Sequence, residues 1–285
     1  MIAVTGATGQ LGRLVIDALL KIVPPAEIVA AVRSPEKAAD LTAKGVTVRL
    51  ADYSRPETLG SALDGVDRLL LISANEVGKR FAQHKAVIDA AKAAGVGFIA
   101  YTSILRADRS PLALAKEHAA TEEAIAASGI PHAFLRHGSY TENNTASIGA
   151  ALAHGAVVGS SGDGRIAAAG RKDYAEADAR IVAEGTKHAG VAYDMAGDTA
   201  FTLAEYAAEV ARQSGKPVVY TDLPESAYKD ILVGVGLPEP LADALADASA
   251  HAADGALFDD GHTLSKLLGR PTTPLAETVA AALKG

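Results

Sequence analysis

An apolar run, Ile2 to Thr5, passes through Gly6-Ala7-Thr8-Gly9-Gln10-Leu11-Gly12 directly into a stretch with helical patterning, Gln10 to Lys21. That order of strand, glycine-punctuated turn and helix narrows the fold more than any other segment, because each glycine answers a separate steric demand. Gly6 permits a tight turn out of the strand, Gly9 lets the backbone approach a bound group, and Gly12 lets the helix pack close to the strand. The amides that open the helix then face outward at the positive end of its dipole, an arrangement that suits a diphosphate. An ordinary glycine-rich turn is the alternative, and the placement between strand and helix favours the phosphate reading.

The same rhythm continues. Short apolar runs at Ile28 to Val32, Thr47 to Leu50, Arg68 to Ser73, Phe98 to Thr102 and His132 to Leu135 read as strands. Helical segments alternate with them at Pro35 to Lys44, Pro56 to Leu63, Val77 to Ala94 and Leu112 to Ser128, and Gly45, Gly65, Gly95 and Gly129 follow helix ends as stop signals. Alternation of this kind predicts an α/β fold, a Rossmann-type doubly wound parallel sheet covered by helices on both faces.

After Tyr140 the pattern loosens. Gly155 to Gly170 is rich in small residues, Asp173 to Glu184 is helical, and strand-like Val191 to Met195 and Val218 to Tyr220 flank a helix at Leu203 to Ser214 with Thr202 as its N-cap. Further helices are predicted at Ala227 to Val235, Leu241 to Ala250 and Leu275 to Leu283. The first sheet is expected to end before this region. Residues 1–150 are assigned to the dinucleotide-binding domain, with later segments allowed to return to it, and residues 151–285 to a smaller C-terminal α/β lobe on the substrate side.

Composition removes whole classes of function. The absence of cysteine excludes disulfides, thiolate nucleophiles and iron–sulfur clusters. A net charge of −7 without a Lys/Arg run argues against a nucleic-acid groove. No apolar stretch approaches the roughly 20 residues of a membrane span, and Met1 leads straight into a strand rather than a signal peptide, so a cytoplasmic address is expected. Asp259-Asp260-Gly261-His262-Thr263 reads as a turn and N-cap rather than a metal site, and none of the histidines has metal-ligand spacing.

The second strand ends in Val32-Arg33-Ser34, where an NAD binder carries an acid for the ribose hydroxyls. A guanidinium there suits the extra ribose phosphate of NADPH, the alternative being a solvated surface arginine. Asp52-Tyr53 follows the third strand and either touches the adenine or closes a turn.

With Gly6, Gly9, Gly12, Arg33, Gln83-His84 and Ala100-Tyr101-Thr102-Ser103 in place, the chain resembles the NmrA-like branch of the atypical short-chain dehydrogenases. The resemblance extends over Leu135 to Tyr140, Arg171 to Ala175, Met195 to Asp198, Leu257 to Asp260 and Ser265 to Gly269. It implies NADPH as cofactor, without flavin or metal. Gly6, Ala7, Thr8, Gly9, Gln10, Leu11 and Gly12, with Arg33, would line it. So would Ser73, Ala74, Asn75 and Glu76, the segment His137, Gly138, Ser139, Tyr140, Thr141 and Glu142, and Arg171. The substrate cleft would lie between the nicotinamide and the second lobe, and a homodimer is compatible with the reading. One departure is visible: the family usually has asparagine where this chain has His137, which adds a titratable ring.

Ordinary short-chain dehydrogenases use a Tyr-x-x-x-Lys pair as proton donor. Alignment here puts Leu114 and His118 at those positions, and Lys116, two residues off register, is turned about 200° away on the helix. An enzyme without that acid suits a quinone, because hydride addition yields a delocalised hydroquinone anion rather than a basic alkoxide. Hydride transfer from NADPH to a quinone or similar flat acceptor is therefore expected. Tyr140 and His137 are the candidates to position or protonate the acceptor. Tyr101 and Thr102 read as packing or capping residues, His118 as a bonded structural histidine, and Gln83 and His84 as partners for backbone groups. Two alternatives are reduction of triphenylmethane or azo-type dyes, and a non-catalytic NADP(H)-binding redox sensor.

Overall fold

The computed structural model describes residues 1–284. Strands β1 (Ile2–Thr5), β2 (Ile28–Val32), β3 (Thr47–Leu50), β4 (Arg68–Leu71), β5 (Phe98–Ile104) and β6 (His132–His137) pair in parallel in the order β3-β2-β1-β4-β5-β6. They alternate with helices α1 (Gln10–Leu19), α2 (Ala39–Ala43), α3 (Glu57–Ala62), α4 (Arg80–Ala93) and α5 (Ala115–Ser128). All five residues of β2 are buried, the continuous apolar pattern of a strand covered on both faces. Helix α1 buries Leu11, Val15, Ile16 and Leu19, a stripe with helical period. One core joins Val29, Leu69, Leu71 and Ile99 of the strands to Leu59, Val87, Ile88 and Ala91 of α3 and α4. Burying each larger side chain there contributes roughly 1.5–3 kcal/mol.

The strand order reverses between β1 and β4. Loops leaving the carboxyl ends of those strands therefore diverge, and the crevice between them is where doubly wound folds bind ligands. Both the glycine turn and the loop Ser73 to Glu76 leave the sheet at this point.

The chain forms two units that interleave in sequence. One comprises Met1–Ala107, Glu117–His137 and Tyr174–Tyr193; the other comprises Asp108–Lys116, Gly138–Asp173 and Asp194–Gly285. The chain thus passes between units at points other than residue 150, and the segment from Tyr174 to Tyr193 returns to the first.

The second half corrects one expectation and adds a strand that was not predicted. The large sheet does not end at β6: β8 (Val191–Met195) lies beside β6 as its seventh strand. The segment Gly155 to Gly170 also holds a strand, β7 (Ala156–Gly159), which pairs in parallel with β9 (Val219–Asp222) as a separate two-stranded sheet. In the second unit, helix Leu203–Ser214 is capped as expected. Thr202 accepts the Glu205 amide and the Glu205 carboxylate accepts the Thr202 amide. Its buried face of Leu203, Tyr206, Ala207 and Val210 packs with Ile148, Val157, Phe201, Val218 and Val279. Among the described residues no helix is long and apolar enough to cross a membrane.

Candidate functional site

In the first unit the glycine turn has the geometry its spacing predicts. Gly6 sits at φ +59°, in the left-handed region, and its carbonyl accepts the Gly9 amide at 2.9 Å. A Cβ on Gly12 would stand 2.4 Å from the Gly6 oxygen and 2.7 Å from the Ala7 Cα, so only glycine lets α1 begin this close to the turn. No side chain caps α1, and its first turn holds no acidic residue. Gly9 and Gln10 are exposed. The amide end of a ten-residue helix is therefore presented to solvent beside the switch point, as a diphosphate requires.

Arg33 leaves β2 with its side chain 71% exposed. Its Nη1 lies 3.4 Å from Oε1 of Glu76, so the structure brings together two of the predicted residues from separate loops. Asp52 is a turn residue: its carboxylate accepts the Ser54 amide at 3.0 Å and Arg55 Nε at 3.1 Å, and those contacts hold its pKa below the usual carboxylate value despite partial desolvation.

The loop carrying Ser73 to Glu76 is pinned by three side chains, of which Thr102 and His84 take the capping and backbone-partner roles expected of them and Thr5 was not singled out. Strand β4 stops at Leu71, and the next three amides donate to buried side chains rather than to a neighbouring strand. Ile72 bonds Thr5 Oγ1 at 3.0 Å, Ser73 bonds Thr102 Oγ1 at 2.9 Å and Ala74 bonds His84 Nε2 at 2.8 Å. The signals in the sequence were a threonine in each of two buried strands, Thr5 and Thr102, and the polar pair Gln83-His84.

The donors and acceptors around His84 fix its proton. Because Nε2 accepts the Ala74 amide, Nδ1 carries the hydrogen and donates to Thr121 Oγ1 at 3.0 Å, whose hydroxyl donates to the Glu117 carbonyl. Arg80 can only donate, so His118 Nε2 accepts from it at 3.2 Å and His118 Nδ1 donates to the Tyr101 hydroxyl at 2.8 Å. Glu117 in turn accepts the Gly78 and Arg80 amides and so fixes the start of α4. His84, Tyr101, His118 and Thr121 are buried. The cluster explains why His118, which stands where a catalytic lysine would be expected, is a neutral structural residue.

Burial and the Arg80 charge push the His84 pKa down to about 4, and the same causes hold His118 well below its ordinary value. Unfolded histidine binds a proton near pH 6.5 while folded His84 does not, so the chain loses stability as the pH falls from 6.5 towards 4. His84 alone accounts for about 3 kcal/mol over that window. Urea denaturation at pH 7 and pH 4.5 is expected to show this loss, and His84→Gln should reduce it.

At the end of β6, Arg136 makes a part-buried bidentate pair with Glu122, at 3.0 and 2.7 Å. His137 is buried. Its Nε2 lies 2.9 Å from Asp178 Oδ1 and its ring stacks on Tyr174 with centroids 4.5 Å apart. Asp178 is fully buried, its Oδ2 has no hydrogen-bond partner, and burial raises its pKa against the opposing pull of His137.

In the second unit, the predicted residues Ser139 to Glu142 meet Arg171. The Ser139 carbonyl accepts the Ala169 amide and the Thr141 amide bonds the Ala169 carbonyl at 2.9 Å, which stitches the segment to residues 167–170. The Glu142 carboxylate accepts the Arg171 amide at 2.9 and 3.0 Å, closing the first turn of helix Arg171–Glu184. The Arg171 guanidinium bonds Asn143 Oδ1 at 2.7 Å and lies 4.8 Å from the centre of the Tyr140 ring, so the half-buried tyrosine is held by a cation–π contact. Asn143 was missing from the predicted set. Gly138 donates to the Met195 carbonyl at 2.7 Å.

The Asp259 turn is present, with the Gly261 amide on Asp259 Oδ2 at 3.0 Å. His262 occupies the N-cap position of helix Thr263–Leu268 without a side-chain capping bond, because its ring pairs with Asp198 at 2.9 Å instead. Among the described residues no three metal-ligating side chains gather into a site.

Residues 1–278 match the NmrA-like family. The chain is 57% identical over 280 residues to quinone oxidoreductase 2 of Escherichia coli strain K12, covering 98% of each chain. The crystal structure of an NADPH-dependent quinone oxidoreductase of Escherichia coli complexed with NADPH is similar with a TM-score of 0.95 and 56% identity, over 99% of this chain and 100% of that one. Triphenylmethane reductase of Citrobacter sp., complexed with NADP(H), follows at 40% identity and a TM-score of 0.92, over 99% and 100% of the two chains.

Proposed function

Since the chain belongs to the NmrA-like family, we propose that it is an NADPH-dependent oxidoreductase that reduces a quinone or a similar flat, electron-poor acceptor. The observation that carries this reading is the open amide end of α1 at the sheet's switch point, with Gly12 allowing no side chain in the turn and Arg33 at the end of the next strand. Whole-length likeness to a quinone oxidoreductase supports the acceptor class.

When bound, NADPH supplies the hydride. The residues present fit it: outward amides and a helix dipole for the diphosphate, and an exposed guanidinium in place of the acid that would favour NAD. The pinned loop after β4 holds its backbone ready without a cost of ordering on binding. His118 and Leu114 offer no Tyr-x-x-x-Lys acid, which suits an acceptor whose reduced oxygen is a stabilised anion. Tyr140, oriented by Arg171, is the proposed residue to stack against the acceptor. His137, bonded to Asp178 and buried, is assigned as a positioning residue at the end of β6.

Mixing the purified protein with NADPH and 1,4-benzoquinone, then following the absorbance of reduced nicotinamide, tests the proposal. Catalytic loss of absorbance is expected. Turnover with triphenylmethane dyes but not with quinones would transfer the reading to dye reduction, which the likeness to triphenylmethane reductase supports second. NADPH binding without turnover of either class contradicts it.

A further inference from the structure

Glu76 stands in an unusual place for a residue beside a phosphate-reading arginine. Its Oε1 is 3.4 Å from Arg33 Nη1 and its Oε2 is 3.7 Å from Lys79 Nζ, so one carboxylate lies between two cations. The backbone beneath it is held. The amides of Ser73 and Ala74 are bonded to Thr102 and His84, and the Glu76 carbonyl accepts the Lys79 amide at 3.0 Å. The negative charge is therefore built into the loop rather than left to a freely moving tip.

Carboxylate and guanidinium make opposite demands on an adenosine ribose. A 2′-phosphate is attracted by Arg33 and repelled by Glu76, whereas a 2′-hydroxyl can donate a hydrogen bond to Glu76 and gains little from Arg33. We infer that Glu76 sets the balance between the two nicotinamide cofactors: it competes with the phosphate of NADPH for Arg33 and supplies the hydroxyl acceptor that admits NADH. The inference rests on the reading that Arg33 faces the adenosine ribose. It makes the site one of graded rather than absolute preference, with the acid that an NAD binder carries on its second strand provided instead from the loop after β4.

Glu76→Gln keeps the shape of the side chain and removes its charge. Equilibrium binding of NADPH and NADH, followed by fluorescence of the reduced nicotinamide, is expected to show NADPH tightening about fivefold and NADH weakening about fivefold, the size set by one unit charge a few ångströms from a phosphate in water. The gain for NADPH should shrink as salt is raised from 20 mM to 500 mM, conditions spanning a roughly fivefold change in screening length. Unchanged binding of NADPH, or equal shifts for both cofactors, overturns the inference. Arg33→Met in parallel separates the two levels: if that variant loses NADPH affinity while Glu76→Gln gains none, only the role of Glu76 falls. If Arg33→Met leaves NADPH affinity intact, the underlying reading falls and takes this one with it.

Discussion

Gly12→Ala is expected to weaken NADPH binding by about 100-fold while leaving a folded protein. A single methyl group is enough because the atoms it meets cannot move aside: the Gly6 carbonyl at 2.4 Å and the Ala7 backbone at 2.7 Å belong to the turn itself. Gly6 is held by the Gly9 amide and by its own left-handed conformation, so relief comes from tilting the start of α1 away from β1. Overpacking of this kind costs about 1–3 kcal/mol in stability. The amides proposed to bind the diphosphate would lose their alignment as well, and each good charge-assisted bond contributes about 1.5–3 kcal/mol. Isothermal titration with NADPH checks the affinity, and thermal unfolding checks that the loss is not simply unfolding. Affinity within threefold of the parent would mean that the turn does not bind the cofactor.

The second large effect is selective rather than general. Arg33→Asp should weaken NADPH about 100-fold and change NADH by less than about threefold, because the guanidinium's bonds to a phosphate are replaced by repulsion whereas the ribose hydroxyls keep an acceptor. Arg33 is largely exposed and its pair with Glu76 is long, so little folding stability rides on it. Binding titrations with both cofactors measure the ratio. Equal losses for the two would show that Arg33 does not distinguish them.

The part of the molecule legible in the sequence is the part whose physics is local. Strands β1, β2 and β4 are buried on both faces, so Ile-Val-Ala-Ala-Val in β2 declares itself without reference to its partners. Glycines just past helix ends were legible for the same reason: Gly45, Gly65, Gly95 and Gly129 all adopt positive φ. The pairing of strand β8 with the large sheet was not legible because its first residues are exposed and its neighbour β6 lies more than 50 residues earlier in the chain. Strand β7 has four residues, too few for a period to show.

The candidate site divides along the same line. The glycine turn and Arg33 are positions relative to adjacent elements, and a spacing suffices to find them. The anchoring of Ser73 to Glu76 is a different matter, since it depends on Thr5, Thr102 and His84 meeting three consecutive amides after folding. His84 was expected to satisfy a backbone group, but which amide it meets was not legible, because its face of Arg80, Gln83 and His84 is polar and buried, contrary to the usual amphipathic pattern. The partner of His137 is likewise 41 residues away, on a helix whose sequence gives no reason to expect a buried carboxylate. The ring of His137 is thus stacked on Tyr174 and bonded to Asp178.

A crystal of this protein grown with NADPH tests the central claim most directly. The diphosphate oxygens should lie within hydrogen-bond distance of the amides that open α1, with the Arg33 guanidinium on the adenosine phosphate. Density for NADPH elsewhere on the chain, with the turn at Gly6 to Gly12 left to solvent, would contradict the account.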